Sequence, residues 1–208
     1  MKKTSAIPEG TAEKRIKEAA KQIFLSKGFG GSRTREIALL AKANPALVNY
    51  YFRSKENLFE VVMLEMMGEF MQHIARVVNR TETSFEQKIE DLVMCYVELG
   101  RENPSLPLFV LNEMRKGHLG VSKHAKNMKK ILQMGIMSKQ LEECIKMKKY
   151  RKIEIAEVMM SILGYSVFPY IAAPLIQTMG GMNALDFQTI MNHRKKHIAD
   201  WILHSMKS

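Results

Sequence analysis

A short stretch near the N-terminus carries side chains suited to reading another molecule rather than transforming it. Asn44-Pro45 opens a helix there, with Asn as cap and Pro at the first helical position. On that helix Val48 and Phe52 are four apart and close a core, which turns Ala46, Leu47, Asn49 and Tyr50 outward. The outward set is small, apolar or hydrogen-bonding, and it contains no acid. A helix lying in the major groove of a duplex needs this combination: bulk that fits, groups that meet base edges, and no negative charge facing phosphate.

Other pairings that could do chemistry are weaker. His193 and His197 are four apart, a spacing that can bind a metal. The residues between them are cationic, so an interface or surface pair is the expected reading. His118 and His124 lie near a Gly-rich break without a third ligand. Gly30-Gly31-Ser32 lacks the Gly-Lys-Ser/Thr ending of a phosphate loop and reads as a turn. No order of Ser, His and Asp suggests a nucleophile, and no pair of carboxylates stands out. Neither enzyme activity nor a cofactor or metal site is expected. Cys95 and Cys144 form no C-x-x-C pair and are expected to be reduced thiols of a cytoplasmic protein.

The elements that must hold the outward set are all helical, and no alternating strand of useful length appears. A first helix opens near Thr11 and runs to about Lys27, with Ile16, Ala19, Ala20, Ile23 and Phe24 on one stripe and Gly28 as its stop. A short helix starting at Ser32 or Arg33 precedes the Asn44-Pro45 helix, and its inner face is Ile37, Ala38 and Ala41. Ser54 caps a longer helix to about Asn79, with Leu58, Val61, Val62, Met66, Phe70 and Ile74 inward. Thr83 or Ser84 opens a helix ending before Pro104, and segments near Leu106–Lys116 and Ser122–Lys149 follow. Two long helices are expected at the end, near Lys152–Met179 and Ala184–Met206, parted by Gly180-Gly181.

Charge separates the chain into unequal parts. There are 32 Lys and Arg against 21 Asp and Glu, a net of +11. Residues 1–60 hold twelve basic and six acidic side chains, so more than half of that excess sits on under a third of the length. A polyanion is the expected partner, nucleic acid ahead of an anionic membrane surface. The N-terminal Met1–Gly10 has Lys2 and Lys3 but no apolar run, so it reads as a short arm rather than a signal peptide. Val158–Leu185 carries no charge, and Val158–Ile176 has the length of a membrane span. Ser161, Gly164, Ser166, Pro169 and Pro174 interrupt it, and no basic cluster follows. A buried helix or subunit interface is the expected use, with no membrane partner.

With these residues in place, the chain resembles the TetR (tetracycline-repressor-like) family. The resemblance rests on Gly28-Phe29, Arg35-Glu36-Ile37-Ala38, Ala41-Lys42-Ala43, Asn49-Tyr50-Tyr51-Phe52 and Ser54-Lys55 followed by Leu58, and covers about Ala12 to Phe59. It departs from the family at three places. The turn glycine is Lys42, and in a left-handed backbone a non-Gly residue costs about 1 kcal/mol. Asn49 replaces the usual Tyr and is suited to pairing with adenine, while Leu47 replaces the usual Thr and is suited to a thymine methyl.

The resemblance implies an all-α protein with a helix-turn-helix domain at 1–56 and a helical effector-binding and dimerisation domain at 57–208. It implies that Thr34 and Arg35 touch phosphate or a base edge, with Arg33 as a lesser phosphate contact. Pro45, Ala46, Leu47, Asn49 and Tyr50 would face the groove of double-stranded operator DNA. Tyr51 and Lys55 would hold the DNA backbone, against the alternatives of a core aromatic and a solvated lysine. A repressor acting as a homodimer through residues 152–179 and 184–206 on a near-palindromic operator is implied. The chain has 17 methionines, and Met is over-used at adaptable surfaces. A pocket for a small apolar or amphipathic effector would draw on Met66, Met67, Phe70, Met94, Phe109, Met114, Met134, Met137 and Phe168. Effector binding would shift the fourth helix. A constitutive DNA-binding protein and a membrane-anchored helical protein are the rival readings.

Overall fold

The computed structural model describes residues 10–104, 106–116 and 135–207, with the side chains of Phe109, Asn112, Glu113, Met114 and Lys116 outside that description. Met134, His118, His124, the arm before Gly10 and the first part of the expected Ser122–Lys149 helix also lie outside the described residues. Every regular element among the described residues is an α-helix. In chain order these are α1 (Ala12–Gly31), α2 (Thr34–Leu40), α3 (Pro45–Phe52), α4 (Lys55–Val78), α5 (Phe85–Glu102), α6 (Leu106–Lys116), α7 (Ile136–Lys146), α8 (Ile155–Ser166), α9 (Phe168–Ile171), α10 (Ala173–Gly180), α11 (Ala184–Arg194) and α12 (Ile198–Met206).

Side-chain caps set several of these boundaries. The Thr11 hydroxyl accepts from the Lys14 amide at 3.4 Å, and Ser84 accepts from the Gln87 amide at 3.1 Å. Asn183 accepts from two amides at the start of α11, and Asp186 reaches back to the Asn183 amide. Gly28 interrupts α1 at φ 68°, ψ 177°, a conformation that a side chain would oppose. The first run of regular helix stops at Gly28, as expected, and one further turn runs to Gly31 beyond the kink.

The chain divides into two compact units, Met1–Glu69 and Phe70–Ser208, and the division falls within α4. The second unit packs around α5. Phe85, Ile89, Leu92, Val93 and Val97 are buried there with Met137 and Leu141 of α7, Val158 and Ile162 of α8, and Ile198, Ile202 and Met206 of α12. Lys88 is fully buried in this unit, and its three ammonium protons are all used. Nζ donates to the Thr83 carbonyl (2.8 Å), the Thr83 hydroxyl (3.1 Å) and Gln140 Oε1 (2.8 Å).

The two long closing helices expected from the sequence are each broken. The first divides into α8, α9 and α10, because Pro169 and Pro174 lack the N–H that would continue the ladder and their rings oppose the carbonyl four residues back. Each proline sits in the first turn of the next short helix, where the missing donor costs nothing. The second divides at Lys195–His197. There the amides of Lys196 and His197 bond three residues back, and Lys195 Nζ donates to Glu98 of α5 at 2.7 Å. Among the described residues no helix is long and apolar enough to cross a membrane.

Candidate nucleic-acid interface

The N-terminal unit is built to fix α3. Ile16, Ala19, Ala20 and Phe24 of α1, Ile37, Ala38 and Ala41 of the α2 region, Val48 and Phe52 of α3, and Leu58 and Val62 of α4 are all buried. Ala19, Ala20 and Ala38 keep side chains short where the helices cross, so α1, α2 and α3 all meet one another. Phe59 meets Phe24 edge-on at 4.8 Å and Phe29 at 4.9 Å, which ties the end of α1 to α4. Lys17 pairs with Glu65 and Lys21 with Glu69 (3.5 Å) between the same two helices.

The turn between α2 and α3 is a Schellman closure. The Ala43 amide donates to the Ala38 carbonyl at 3.0 Å and the Lys42 amide to the Leu39 carbonyl at 3.1 Å. This geometry places Lys42 at φ 49°, the left-handed backbone that its replacement of a turn glycine implies. Arg15 fastens the turn from the α1 side. Its Nε donates to the Ala41 carbonyl at 3.2 Å and its Nη1 to the Gly10 carbonyl at 2.7 Å. Asn44 Oδ1 accepts from the Ala46 amide at 2.9 Å, and Pro45 opens α3 as expected.

With Val48 and Phe52 inward, Pro45, Ala46, Asn49 and Tyr50 are exposed and Leu47 is half-exposed. Tyr50 is 78% exposed and stands edge-on to Tyr51 at 5.1 Å. Tyr51 is itself exposed rather than buried in the core. Arg33 and Arg35 are exposed at the start of α2, with Thr34 half-exposed between them. The acid of α2, Glu36, is paired with Lys27 at 2.8 Å. The hydrogen bond from Lys27 holds the Glu36 carboxyl below its ordinary value. No free carboxylate therefore competes on this helix with an incoming anion.

Lys55 has a task that no local pattern reveals. Its Nζ donates to the Phe29 carbonyl (3.0 Å) and the Ser32 carbonyl (3.3 Å), and it sits 4.1 Å from the centre of the Phe29 ring. It locks the α1–α2 corner to the start of α4. An ammonium has three donors, so one remains for an outside acceptor. Sequence reasoning also missed Arg15, because its partners are carbonyls and carry no side-chain signal.

These features coincide with a known family. Residues 16–62 match the family described as bacterial regulatory proteins, tetR family. The N-terminal domain is thus similar to that family over residues 16–62. The chain is 40% identical over 62 residues to the HTH-type transcriptional repressor NicS of Pseudomonas putida, covering 30% of this chain and 29% of that one. It is 30% identical over 101 residues to the Probable HTH-type transcriptional regulator YttP of Bacillus subtilis, covering 48% and 49%. The matches thus span at most about half the length of these curated relatives. The fold is similar to that of the transcriptional regulator FadR from Bacillus subtilis, solved in complex with stearoyl-CoA. That likeness has a TM-score of 0.57 and 17% identity, over 89% of this chain and 96% of the other.

The described side chains named from sequence for an effector pocket differ in burial. Met137 is buried in the core of the second unit, and Phe70 packs partly against that core with Tyr96 at 5.2 Å. Met94 is 43% exposed and Phe168 59% exposed. Met66 is buried and Met67 half-buried in the N-terminal unit. The His193 and His197 rings are tilted by 53° with centres 4.9 Å apart, and His197 stacks on Trp201.

Proposed function

We propose that this chain is a DNA-binding transcriptional regulator, a repressor, that binds a near-palindromic operator in the cytoplasm as a homodimer and is released by a small apolar or amphipathic effector. One observation carries the DNA-binding reading. The outward face of α3 is exposed and free of acid, and it is mounted on a three-helix scaffold whose inner faces are buried. Pro45, Ala46, Leu47, Asn49 and Tyr50 would face the groove. Arg33, Thr34, Arg35, Tyr51 and the spare proton of Lys55 would hold phosphates, contacts that position the head without specifying sequence.

The homodimer is supported by apolar side chains left uncovered on the closing helices. Met160, Leu163, Phe168, Leu175, Met179, Leu185 and Trp201 are all exposed in the single chain. So large a set of exposed apolar groups marks an interaction surface. Release by an effector needs differential affinity for two arrangements of the heads, a coupling of about 1–3 kcal/mol in typical systems. The natural carrier is α4, whose residues belong to both units.

The test is anisotropy of a labelled duplex titrated with the purified protein and with its Ala46→Glu variant. Ala46 is exposed near the N-terminus of α3, where an acid favours the helix, so the fold should survive. Binding by the native chain and its loss in the variant are expected. Equal binding by both would remove α3 from the interface.

A further inference from the structure

Two exposed cations bracket α3, and both stand on backbone that their residue type disfavours. Lys42, three residues before the helix, has φ 49°. Arg53, directly after it, has φ 64° and ψ −43°. The Ser54 amide donates to the Phe52 carbonyl at 2.7 Å across Arg53, which makes a three-residue turn of the rare, strained hand. Glycine is the residue that both positions favour on backbone grounds. Among the described residues neither side chain makes a hydrogen bond or ion pair that would account for a Lys and an Arg there. Lys27 and Lys55, the other lysines of this region, are engaged with Glu36 and with two carbonyls. Strain retained at an exposed site points to an outside partner.

We propose that Lys42 and Arg53 are phosphate contacts, one at each end of α3, and that their left-handed backbones are kept for the sake of their charge. The inference rests on the DNA-binding reading above. It adds to Arg33 and Arg35 two cations at the ends of the reading helix, so that α3 is held against the DNA backbone before and after the bases it meets. A third left-handed lysine provides an internal control. Lys148 (φ 58°) follows α7 in the other unit, in a turn of the same kind, and is exposed.

The experiment is titration of a random-sequence duplex of about 30 base pairs across a salt series, with Tm measured in parallel. The proteins are the full chain and its Lys42→Gly, Arg53→Gly and Lys148→Gly variants. Removing one cation from a phosphate should make the slope of log K against log salt shallower by about 0.9. The Lys42→Gly and Arg53→Gly variants are expected to show this shallower slope while Tm holds or rises, because glycine relieves the crowding at positive φ. Lys42→Arg and Arg53→Lys should keep the native slope. Lys148→Gly should match the other glycine variants in Tm and the native protein in slope. An unchanged slope in either glycine variant overturns the assignment of that residue, and a fall in Tm overturns the strain argument. If Lys148→Gly flattens the slope equally, the effect is one of net charge and the inference fails. Failure of the native chain to bind the duplex would instead sink the DNA-binding reading itself.

Discussion

Glu86 shows how a single side chain can hold together distant parts of the second unit. Partial burial raises its carboxyl pKa, but hydrogen bonds from Lys149 (2.8 Å) and the Tyr150 hydroxyl (2.6 Å) outweigh this, and the result is about 2 against an ordinary 4.5. A carboxyl with a depressed folded pKa contributes stability above its unfolded pKa and loses it as pH falls through the folded one. Urea unfolding should therefore show stability declining from about pH 4.5 toward 2, and Glu86→Gln should flatten that decline. An identical pH dependence in the variant would mean that other carboxyls set it. Tyr150 and Lys149 lie more than sixty residues from Glu86, so no local spacing announces the cluster. The same holds for Lys55 and for the bond from Arg15 to Ala41, whose carbonyl partners lie twenty-three or more residues away. The outward positions of α3 are different. They are legible because Val48 and Phe52 fix the inner face by period alone.

Among the elements, capped ends read clearly from sequence and the uncharged stretch does not. Thr11, Asn44-Pro45 and Ser84 announce their helices because a cap is local chemistry. Between 158 and 180 the apolar residues continue across each break, so periodicity shows one helix where the chain makes three. Pro169 and Pro174 are the visible signal, and each marks the first turn of a new piece. The break lets Tyr170 reach α5. Its hydroxyl donates to the Val97 carbonyl at 3.1 Å, and its ring lies over Gly100, where a Cβ would stand 2.3 Å from it. Gly100→Ala is predicted to destabilise the protein by about 1–3 kcal/mol through overpacking, read as a lower urea midpoint with unchanged m. A neutral result would show that α9 moves aside freely. The break at Lys195–His197 has no comparable sequence signal, since Lys195 is positioned by Glu98 of α5.

At the scale of the molecule, the two units have different relations to the sequence. The N-terminal one is recognisable by its motif, and residues 16–62 carry the family match. The second unit shows itself through composition and helix pattern, because a core that must only exclude water tolerates many sequences. Its exposed apolar side chains lead to the proposed dimer. Leu163→Glu on α8 should leave the circular dichroism intact and yield a monomer in sedimentation equilibrium, since Leu163 is already exposed in the single chain. A native chain that is itself monomeric at micromolar concentration would contradict the dimer directly. The most direct measurement for the whole is selection of bound sequences from a random duplex pool by the purified protein. A two-fold pair of α3 helices should enrich an inverted repeat with half-sites about one helical turn or more apart. No enrichment, or enrichment of a single unrepeated site, would contradict it.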